Sequence, residues 1–475
     1  MKTNNLIQIG LRVVILFFVA GLSSCKKDFL NLRPYDKVSS DVAITNESDM
    51  QAVLSGAYAS LQDVSLYGRT MVLLPDLLAD NVYISTVNSN RNLDFFQINY
   101  TVSNANALGI WQAAYTTILR ANNVINSTLP SGEKVDQLRG EALCLRALMY
   151  FELVKHFAKP YTTDPNGLGV PIILEYNPTV KPPRNTTAEV YTQIENDLTQ
   201  AVSLITETKS SGFFSKYGAK GLLARMYLFK GEWAKALTEA KDVIDNSGYT
   251  LMSLSQVLPF WSRNTDRTDK LEVLFEVVFD ANSVIGNNSL PYFFDQQGYG
   301  DALATESLYN TYSNTDVRKN LIVVGSAIRG ADVKVVNKFP NAVASDKDEM
   351  KVLRMSEIYL IAAEAAYHLN DPSALDYLNA VATQRDAAFA GYSSSGPALL
   401  NDILLERRKE LAFEGHRYWD LVRNNRDVVR INLAGNYPGN VPLVLATDNF
   451  RRILPIPQTE LDANPNIRDQ QNAGY

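Results

Sequence analysis

The feature of this chain that most limits its fold is the recurrence of apolar residues at helical spacing. Met50, Leu54 and Leu61 fall on one stripe of the first such segment, whose first turn holds acidic residues. Further segments along the chain carry the same kind of pattern. The helical segments span 47–64, 109–129, 133–157, 187–205, 216–245 with a break at 230–232, 351–385 with a break at 370–372, and 401–424. The pattern predicts a mainly α-helical protein.

Two of the helical segments share a repeated spacing of small residues. Ala224 and Ala236 lie twelve positions apart in the sequence. Ala362 and Ala374 show the same spacing. Such spacing is typical of tetratricopeptide units, in which two antiparallel helices cross closely. The repeats are scattered rather than tandem, so unrelated helical hairpins are the alternative interpretation.

Irregular stretches lie between the helical segments. Residues 65–106 are rich in Asn, Ser, Asp and aromatic side chains. Residues 246–345 contain a strand-like stretch, LEVLFEVVF at 271–279, followed by many Gly, Asn and Tyr residues. Loops of this length in a compact protein are usually functional. We therefore expect the irregular stretches to carry the function and the helices to support them.

The first 24 residues, 1–24, are typical of a secretory signal peptide. Lys2 and Arg12 supply positive charge, an apolar run covers 13–22, and small residues follow. The apolar run is too short to cross a bilayer, which takes about 20 residues. The sequence LSSC that ends at Cys25 matches a bacterial lipobox, in which the Cys is acylated and becomes the new N-terminus. An exported protein with an incidental Cys at its cleavage site is the alternative.

The remainder of the chain, 25–475, is predicted to be one domain. It contains no long Gly/Ser-rich or Pro-rich linker, and we divide it only into an N-terminal part, about 25–230, and a C-terminal part, about 231–475. Cys144 is the other cysteine of the sequence, so acylation of Cys25 would leave no pair for an internal disulfide. The whole chain has a net charge of −6 and no basic run, which argues against nucleic-acid binding.

Sequence motifs for catalysis or phosphate binding are absent. The chain has no GxxxxGK[ST], GxGxxG, HExxH or GxSxG motif. His156, His368 and His416 lie in or at the ends of separate helical segments, which favours structural roles over a metal site. Asp295 and Asp301 are the carboxylates that we would choose for a glycosidase pair, but loop residues that hydrogen-bond a ligand are the simpler interpretation. We therefore predict no enzyme activity, no metal site and no cofactor, and leave open whether a calcium ion holds a loop.

The charged run ERRKE at 406–410 lies in a helical segment with apolar anchors. We expect Arg407 and Arg408 to pair with Glu410, Glu414 or a neighbouring helix terminus. This interpretation gives the run a structural role rather than a catalytic or phosphate-binding one.

Two irregular stretches have the composition that sugar binding needs, at 81–100 and 287–302. Sugar rings stack their C–H faces on aromatic rings, while their hydroxyl groups bond to amides, carboxylates and guanidinium groups. Trp261 lies in a third stretch that reads as a loop. The candidate ligand-binding residues are Tyr83, Asn88, Arg91, Phe95, Phe96, Trp261, Asn287, Tyr292, Phe293, Asp295 and Tyr299.

Four stretches of the sequence, taken together, resemble the SusD/RagB family of surface nutrient-binding lipoproteins. They are CKKDFLNLRP at 25–34, LRMSEIYLIAAEAAYHLND at 353–371, ERRKELAFEGHRYWDLVRN at 406–424 and RRILPIPQTELDANPNIRDQQNAGY at 451–475. The ending departs from the family in QNAGY, where Pro usually precedes the Gly.

The resemblance implies a fold and a working arrangement. The fold is a SusD-like superhelix of tetratricopeptide-like helix pairs, on which long irregular loops and a few short strands hold the ligand. The resemblance also implies a lipid anchor in the outer membrane, a position facing the cell surface, and a SusC-type TonB-dependent transporter over which the lipoprotein closes. In the family, the ligand site is built largely from loops in the two aromatic-rich stretches.

We therefore expect a binding protein that captures oligosaccharides or glycans and delivers them to the transporter. A peptide-binding, RagB-like lipoprotein of the same fold is the first alternative. A surface glycoside hydrolase and a purely structural helical scaffold are weaker alternatives. The sequence does not name the glycan, its linkage or its chain length.

Overall fold

Helices dominate the protein, as the sequence predicts. The computed structural model describes residues 44–263, 265–280, 283, 285–325, 333–341, 348–431 and 439–475. The predicted signal peptide and the predicted lipidation site Cys25 therefore lie outside the described residues. In chain order the α-helices are α1 (Glu47–Ser60), α2 (Thr70–Leu78), α3 (Leu93–Phe96), α4 (Ala105–Ile125), α5 (Glu133–Phe157), α6 (Thr187–Leu204), α7 (Lys216–Lys230), α8 (Trp233–Asn246), α9 (Val257–Trp261), α10 (Leu290–Phe294), α11 (Glu306–Tyr309), α12 (Met355–His368), α13 (Ala374–Ala382), α14 (Pro397–Glu410), α15 (Arg417–Arg423) and α16 (Gln458–Ala463). The β-strands are β1 (Val82–Ile84), β2 (Val273–Val277), β3 (Ala302–Ala304), β4 (Ile322–Gly325), β5 (Val333–Val336), β6 (Met350–Arg354), β7 (Val428–Val429) and β8 (Val444–Leu445).

The long helices form a scaffold of neighbouring pairs. Helix α5 packs against α4 and α6, and α8 packs against both α7 and α12. Most residues of α5 are buried on every side, and its buried polar side chains pair with neighbouring helices, as Arg146 does with Asp197 of α6. The alanines with the shared spacing are buried in the two pairs α7–α8 and α12–α13. Small side chains there allow the helices to approach closely, and the predicted helix pairs are confirmed.

Local capping residues set the ends of several helices. Helix α6 begins with a capping box, in which the Glu189 amide donates to Thr186 Oγ1 at 3.2 Å and the Thr186 amide donates to Glu189 Oε2 at 2.7 Å. Helix α7 ends before Gly231, whose φ of +74° suits a residue without a Cβ. The break between α7 and α8 therefore falls where the sequence predicts it.

Three small antiparallel sheets lie among the helices. The largest has the strand order β1-β3-β5-β4, and β2 pairs with β6 while β7 pairs with β8. Strand β2 lies within the stretch predicted to be a strand. Strand β6 corrects the prediction of a helix from Lys351, because Lys351 pairs with Glu276 and Arg354 with Val273 across the β2–β6 ladder.

Helix α2 is the clearest element that the sequence did not predict. Its residues, TMVLLPDLL, lie in a stretch expected to be irregular, and Pro75 falls inside the helix. All nine residues are buried, so tertiary packing overrides the unfavourable proline.

The predicted helix at 401–424 is split into α14 and α15 by a turn at 411–416. A Cβ on Gly415, which has a φ of +76°, would lie 3.0 Å from Val72 Cα, so the turn contacts α2 closely.

The charged run at 406–410 holds the fold together, with partners at the ends of neighbouring helices. Arg407 Nε lies 3.1 and 3.0 Å from the two carboxylate oxygens of Asp420 in α15. Arg408 Nε donates to Asn81 Oδ1 at 2.8 Å. Glu410 accepts from Arg354 Nη1 at 2.7 Å instead of pairing with its own neighbours in sequence. Of the predicted partners, Glu410 and Glu414 are wrong, and a neighbouring helix terminus is right. Asp420 lies in the first turn of α15, and Arg408 Nη2 also donates to the Asp80 carbonyl oxygen just after α2, at 3.0 Å.

The helices of the described part of the chain are all too short or too polar to cross a membrane.

Candidate ligand-binding site

Two loops that the sequence singles out meet at one end of the four-stranded sheet. Strands β1 and β3 pair antiparallel, with Val82 opposite Ala304 and Ile84 opposite Ala302. Strand β1 leads into residues 85–92, which we call the first loop. Strand β3 follows residues 291–301, which comprise most of the short helix α10 and the turn after it, and which we call the second loop. Because antiparallel strands bring the end of one next to the start of the other, the two loops lie side by side.

Hydrogen bonds fix the first loop to the sheet. The Ser89 amide donates to Asp301 Oδ1 at 3.0 Å, and the Ser89 hydroxyl donates to the other oxygen of that carboxylate. Within the loop, Asn88 Nδ2 donates to the Ser85 carbonyl oxygen at 2.7 Å, and the Asn90 amide donates to Asn88 Oδ1 at 2.7 Å. Asp301 is fully buried, so the loop is attached to a rigid point.

The second loop closes on the backbone of Tyr292. The Tyr299 amide donates to the Tyr292 carbonyl oxygen at 2.9 Å, and Asp295 supports the turn by accepting from the Gln297 amide at 2.8 Å. A Cβ on Gly298 would lie 2.5 Å from the Tyr292 carbonyl oxygen, so this closure requires glycine. The rings of Tyr292 and Tyr299 meet edge to face at a centroid distance of 4.9 Å, and both are half-buried.

Two arginines lie over aromatic rings of the second loop. The guanidinium carbon of Arg91 is 4.0 Å from the ring centroid of Tyr299, and that of Arg69 is 5.3 Å from the ring centroid of Phe293. The Phe293 and Tyr299 centroids are 5.4 Å apart. Such contacts contribute about 0.5–1 kcal/mol each at exposed sites. We call Arg69, Arg91, Tyr292, Phe293 and Tyr299 the arginine–aromatic cluster.

Arg69 connects this cluster to the helical scaffold. Its Nη2 donates to Thr70 Oγ1 and to Asn106 Oδ1, at 3.3 Å in each case. Asn106 in turn donates to Asn92 Oδ1 of the first loop at 3.0 Å. Burial, followed by the charge of Arg91, lowers the pKa of Arg69. The two guanidinium groups are therefore near enough to repel each other.

Arg69 and Asn106 are not among the residues that the sequence predicts for the site. Arg69 immediately precedes α2, a helix that was not predicted, and Asn106 lies in the first turn of α4, where polar residues are common. Only the packing of α2 and α4 beside the second loop places these side chains at the cluster. No signal in a single sequence could have found them.

Five candidate residues are buried, which corrects the expectation that their rings face a ligand. Phe96 lies under Arg430, whose guanidinium carbon is 5.0 Å from the ring centroid. Trp261 was expected in a loop but ends helix α9, with Lys338 Nζ 4.0 Å from its ring centroid. The buried candidates are Tyr83, Phe95, Phe96, Trp261 and Phe293. Burying a large ring stabilises the fold by about 1.5–3 kcal/mol, so aromatic residues under a loop fill the core before they serve a ligand.

The other candidates keep exposed or half-exposed side chains. They are Asn88, Arg91, Asn287, Tyr292, Asp295 and Tyr299. Arg91, Tyr292 and Tyr299 gather in the arginine–aromatic cluster, whereas Asn88 and Asp295 bond within their own loops. Asn287 lies exposed in the 3₁₀ turn Gly286–Asn288. Their contact with a ligand stays a prediction.

The groups weighed for catalysis have structural partners. Asp301 is buried beneath Ser89, and Asp295 accepts from a loop amide. Burial lowers the pKa of both His156 and His416 to about 4, so these imidazoles are neutral at physiological pH. Nowhere in the described ranges do three or more His, Cys, Asp or Glu side chains come together in a way that could hold a metal ion.

A cleft of about 360 Å³ borders the cluster. It lies between the C-terminal end of α1, the middle of α4 and residues near 285. Its lining residues are Ala59, Ser60, Gln62, Asp63, Ala113, Thr116, Arg120, Ser283 and Ile285. The charge of Asp63 raises the pKa of Arg69, against the larger effects of burial and Arg91, so the cleft and the cluster are neighbours.

Two family models match this chain. The model described as starch-binding associating with outer membrane, SusD-like, matches residues 28–228. The SusD family model matches residues 332–475. Between them they cover most of the N-terminal part and the end of the C-terminal part.

Solved structures share the fold over nearly the whole chain. A SusD superfamily protein from Bacteroides thetaiotaomicron is 30% identical with a TM-score of 0.82, and the match covers 90% of this chain and 100% of that protein. A SusD superfamily protein from Bacteroides vulgatus is 29% identical with a TM-score of 0.84, covering 91% and 100%. SusD-like protein P2 from Formosa agariphila is 25% identical over 98% of both chains. Sequence and fold agree along the same length, and the chain belongs to the SusD/RagB family.

Proposed function

We propose that this protein captures oligosaccharides at the cell surface and delivers them to a SusC-type TonB-dependent transporter in the outer membrane. The observation that carries the proposal is the arginine–aromatic cluster. It combines the half-exposed rings of the second loop with two guanidinium groups, Arg91 of the first loop and Arg69 at the start of α2. Membership of the family, and the description of the matching model as starch-binding and associating with the outer membrane, support the same function.

The geometry of the cluster suits a ligand that uses both ring contacts and hydrogen bonds. Arg91 covers one face of Tyr299, so a sugar would contact the remaining edges of Tyr292 and Tyr299 while its hydroxyl groups accept from the guanidinium groups. Apolar surface with a few directed donors is the usual composition of a ligand site. The nearby carboxylates Asp295 and Asp301 support the loops, and we propose that the protein binds its ligand without cleaving it.

Titration calorimetry against a panel of oligosaccharides and a peptide digest tests this function. We expect Tyr299→Ala to weaken saccharide binding by about tenfold or more. Tyr176→Ala is the control, because Tyr176 is 59% exposed and lies outside the cluster, and it should leave the dissociation constant unchanged. Peptide binding that no glycan displaces would favour the peptide-binding alternative. Folded protein that binds no saccharide would contradict the proposal, and release of shortened products would contradict the absence of catalysis.

The proposed anchor is acylated Cys25, since several acyl chains on one residue hold a protein firmly on a bilayer. Cys25→Ala should move the protein from the membrane fraction to the soluble fraction and should abolish fatty-acid labelling. Co-purification of the acylated protein with a transporter from solubilised outer membranes tests the partner. Membrane retention of the unlabelled variant would contradict the lipid anchor.

A further inference from the structure

The arginine–aromatic cluster carries more positive charge than recognition of a neutral sugar requires. The hydrogen bonds of the Arg69 guanidinium go to neutral oxygens, those of Thr70 and Asn106. The Arg91 guanidinium group lies over the ring of Tyr299. Neither group is neutralised by a carboxylate at ion-pair distance in the residues that the structure describes.

This arrangement differs from that of the scaffold arginines that pair with carboxylates. It also differs from that of buried Arg184 and Arg430, each of which makes at least four hydrogen bonds to neutral oxygens. Arg146 Nη2 lies 2.6 Å from Asp197 Oδ1, and Arg354 Nη1 lies 2.7 Å from Glu410 Oε1. Those guanidinium groups have carboxylate partners because an unpaired buried charge is costly. Arg69 is half-buried, and its polar partners are uncharged.

The two guanidinium groups also act on each other. The rings beneath them are neighbours, with centroids 5.4 Å apart, and the charge of Arg91 adds to the effect of burial in lowering the pKa of Arg69. Asp63 acts in the opposite direction but is exposed on the neighbouring cleft. An anion bound between the two arginines would replace a repulsion by two attractions.

We propose that the saccharide bound at this cluster carries an anionic group, a carboxylate or a sulfate ester, and that Arg69 and Arg91 recognise it. This inference rests on the proposed function and adds the chemical class of the ligand. A guanidinium group presents parallel N–H donors whose spacing matches two oxygens of a carboxylate or a sulfate. Lysine would supply charge without that geometry.

Titration calorimetry with two matched pairs of probes separates charge from sugar recognition. The first pair is tetragalacturonate and its methyl ester, and the second is a sulfated galactan tetrasaccharide and its desulfated form. We expect the charged member of one pair to bind about tenfold more tightly than its neutral partner at 0.15 M salt, where the screening length is about 8 Å. The pair that responds identifies the anionic group.

Two variants assign the effect to the cluster. Arg91→Gln and Arg69→Gln should each weaken binding of the charged member about tenfold, as expected for loss of a hydrogen bond to a charged group. Arg69→Lys keeps the positive charge and controls for a folding defect. It should lose less affinity for the charged member than Arg69→Gln does. Arg426→Gln is the matched control, because its guanidinium group also donates to a neutral oxygen, Asn401 Oδ1 at 2.9 Å, and lies in neither the cluster nor the lining of the neighbouring cleft. It should bind like the parent.

The outcomes distinguish this inference from the proposed function. Three outcomes would overturn the anionic ligand and leave saccharide capture standing. They are equal affinity for both members of each pair, binding of neutral glycans alone, and a loss of affinity in Arg426→Gln but not in Arg91→Gln. Failure to bind any saccharide of a broad neutral and charged panel would overturn the proposed function, and the anionic ligand with it.

Discussion

Arg354 shows how single residues in the scaffold satisfy buried charge. Its guanidinium group donates to Glu272 and Glu410 at 2.7 Å each and to Glu414 at 2.8 Å. These carboxylates raise its pKa despite burial, which alone would lower it. Arg69 differs, because its hydrogen bonds go to neutral oxygens and burial lowers its pKa.

Asp76 in α2 predicts a pH dependence of stability. No side chain of the described residues hydrogen-bonds its buried carboxyl group, and burial raises its pKa from 3.8 to about 8. The folded state therefore keeps a proton that the unfolded chain releases above about pH 4, so this group makes stability fall as pH rises from about 4 to 8. Asp76→Asn removes that loss. In urea titrations from pH 5 to 8, the free energy of unfolding of the variant should gain on the parent by up to about 1.4 kcal/mol per pH unit.

The control for Asp76 is Asp448→Asn, which changes an exposed carboxyl group. The difference between Asp448→Asn and the parent should not vary with pH over the same range. A difference for Asp76→Asn that is equally flat would mean that Asp76 is ionised in the folded protein.

Asp301 predicts a link between loop attachment and binding. Asp301→Ala leaves the amide and hydroxyl of Ser89 without their acceptor, and should cost about 1–3 kcal/mol of unfolding free energy. Because Arg91 follows Ser89 by two residues, saccharide affinity should also fall. Thermal unfolding and calorimetry measure the two effects. Asp295→Ala, which removes only the bond from the Gln297 amide, is the control and should cost less stability, and unchanged affinity in Asp301→Ala would contradict the role of this attachment.

At the scale of elements, the sequence predicts best where local and tertiary requirements agree. The predicted bounds of α5 match the structure because an acidic first turn, a largely apolar stretch at 142–154 and a Lys-His end all favour one helix. Helix α2 was missed because Pro75 and the polar residues around it favour a loop, and only burial makes the helix stable. Strand β6 was missed because its residues have helical periodicity and a pairing partner about 75 residues away.

The site was predictable as a region but not as a set of contacts. Composition located both loops, and the antiparallel pairing of β1 with β3 explains why they lie together. Composition could not tell Phe293, which fills the core, from Tyr299, which stays half-exposed. A single sequence does not contain that distinction, because it depends on which side of the loop packs on α2.

The contact between α5 and α6 predicts how buried ion pairs stabilise the helix scaffold. Arg146 donates to both oxygens of Asp197, at 2.8 and 2.6 Å, and to Asn122 Oδ1 in α4 at 2.9 Å. Asp197→Ala leaves the arginine unpaired and should cost about 3–5 kcal/mol in denaturant titrations. Combining Arg146→Met with Asp197→Leu should restore most of the loss, because no charge is then left unpaired.

The surface pair of Lys241 and Asp245, 3.5 Å apart and 54% exposed on both sides, is the control for this prediction. Asp245→Ala should change stability by about 1 kcal/mol or less, because solvent and salt screen such pairs. Equal costs for Asp197→Ala and Asp245→Ala would show that burial adds nothing to the ion pair.

At the scale of the whole molecule, the end of the chain is bound to the N-terminal part. Arg184 Nη1 donates to the Gln470 carbonyl oxygen at 2.6 Å and to Asn472 Oδ1 at 3.0 Å. Asn472 Nδ2 donates to the carbonyl oxygens of Phe157 and Leu454, at 2.9 and 2.7 Å. These buried bonds tie the last residues to the end of α5. The single domain over 25–475 stays a prediction, and two family models match its parts separately.

The arginine–aromatic cluster also depends on residues from both parts of the chain. Arg69 and Arg91 come from the N-terminal part, while Tyr292, Phe293 and Tyr299 come from the C-terminal part. Neither part alone could form the site. Saccharide binding should therefore require the complete chain, and a fragment that retained affinity would place the site elsewhere.

We expect residues 25–475 to unfold as one cooperative unit. Helix content by circular dichroism and tryptophan fluorescence should give the same midpoint of unfolding. The fragment 25–230 should show no cooperative transition, because it lacks the partners of Arg184.

Asn472→Ala removes bonds to two buried carbonyl oxygens and should lower the common midpoint without separating the two signals, at a cost of about 1–3 kcal/mol. Asn466→Ala, which loses an exposed bond to the Lys181 carbonyl oxygen, should have a smaller effect. Two separate midpoints would show that the parts fold independently, and the bonds at Asn472 would then join two domains rather than complete one.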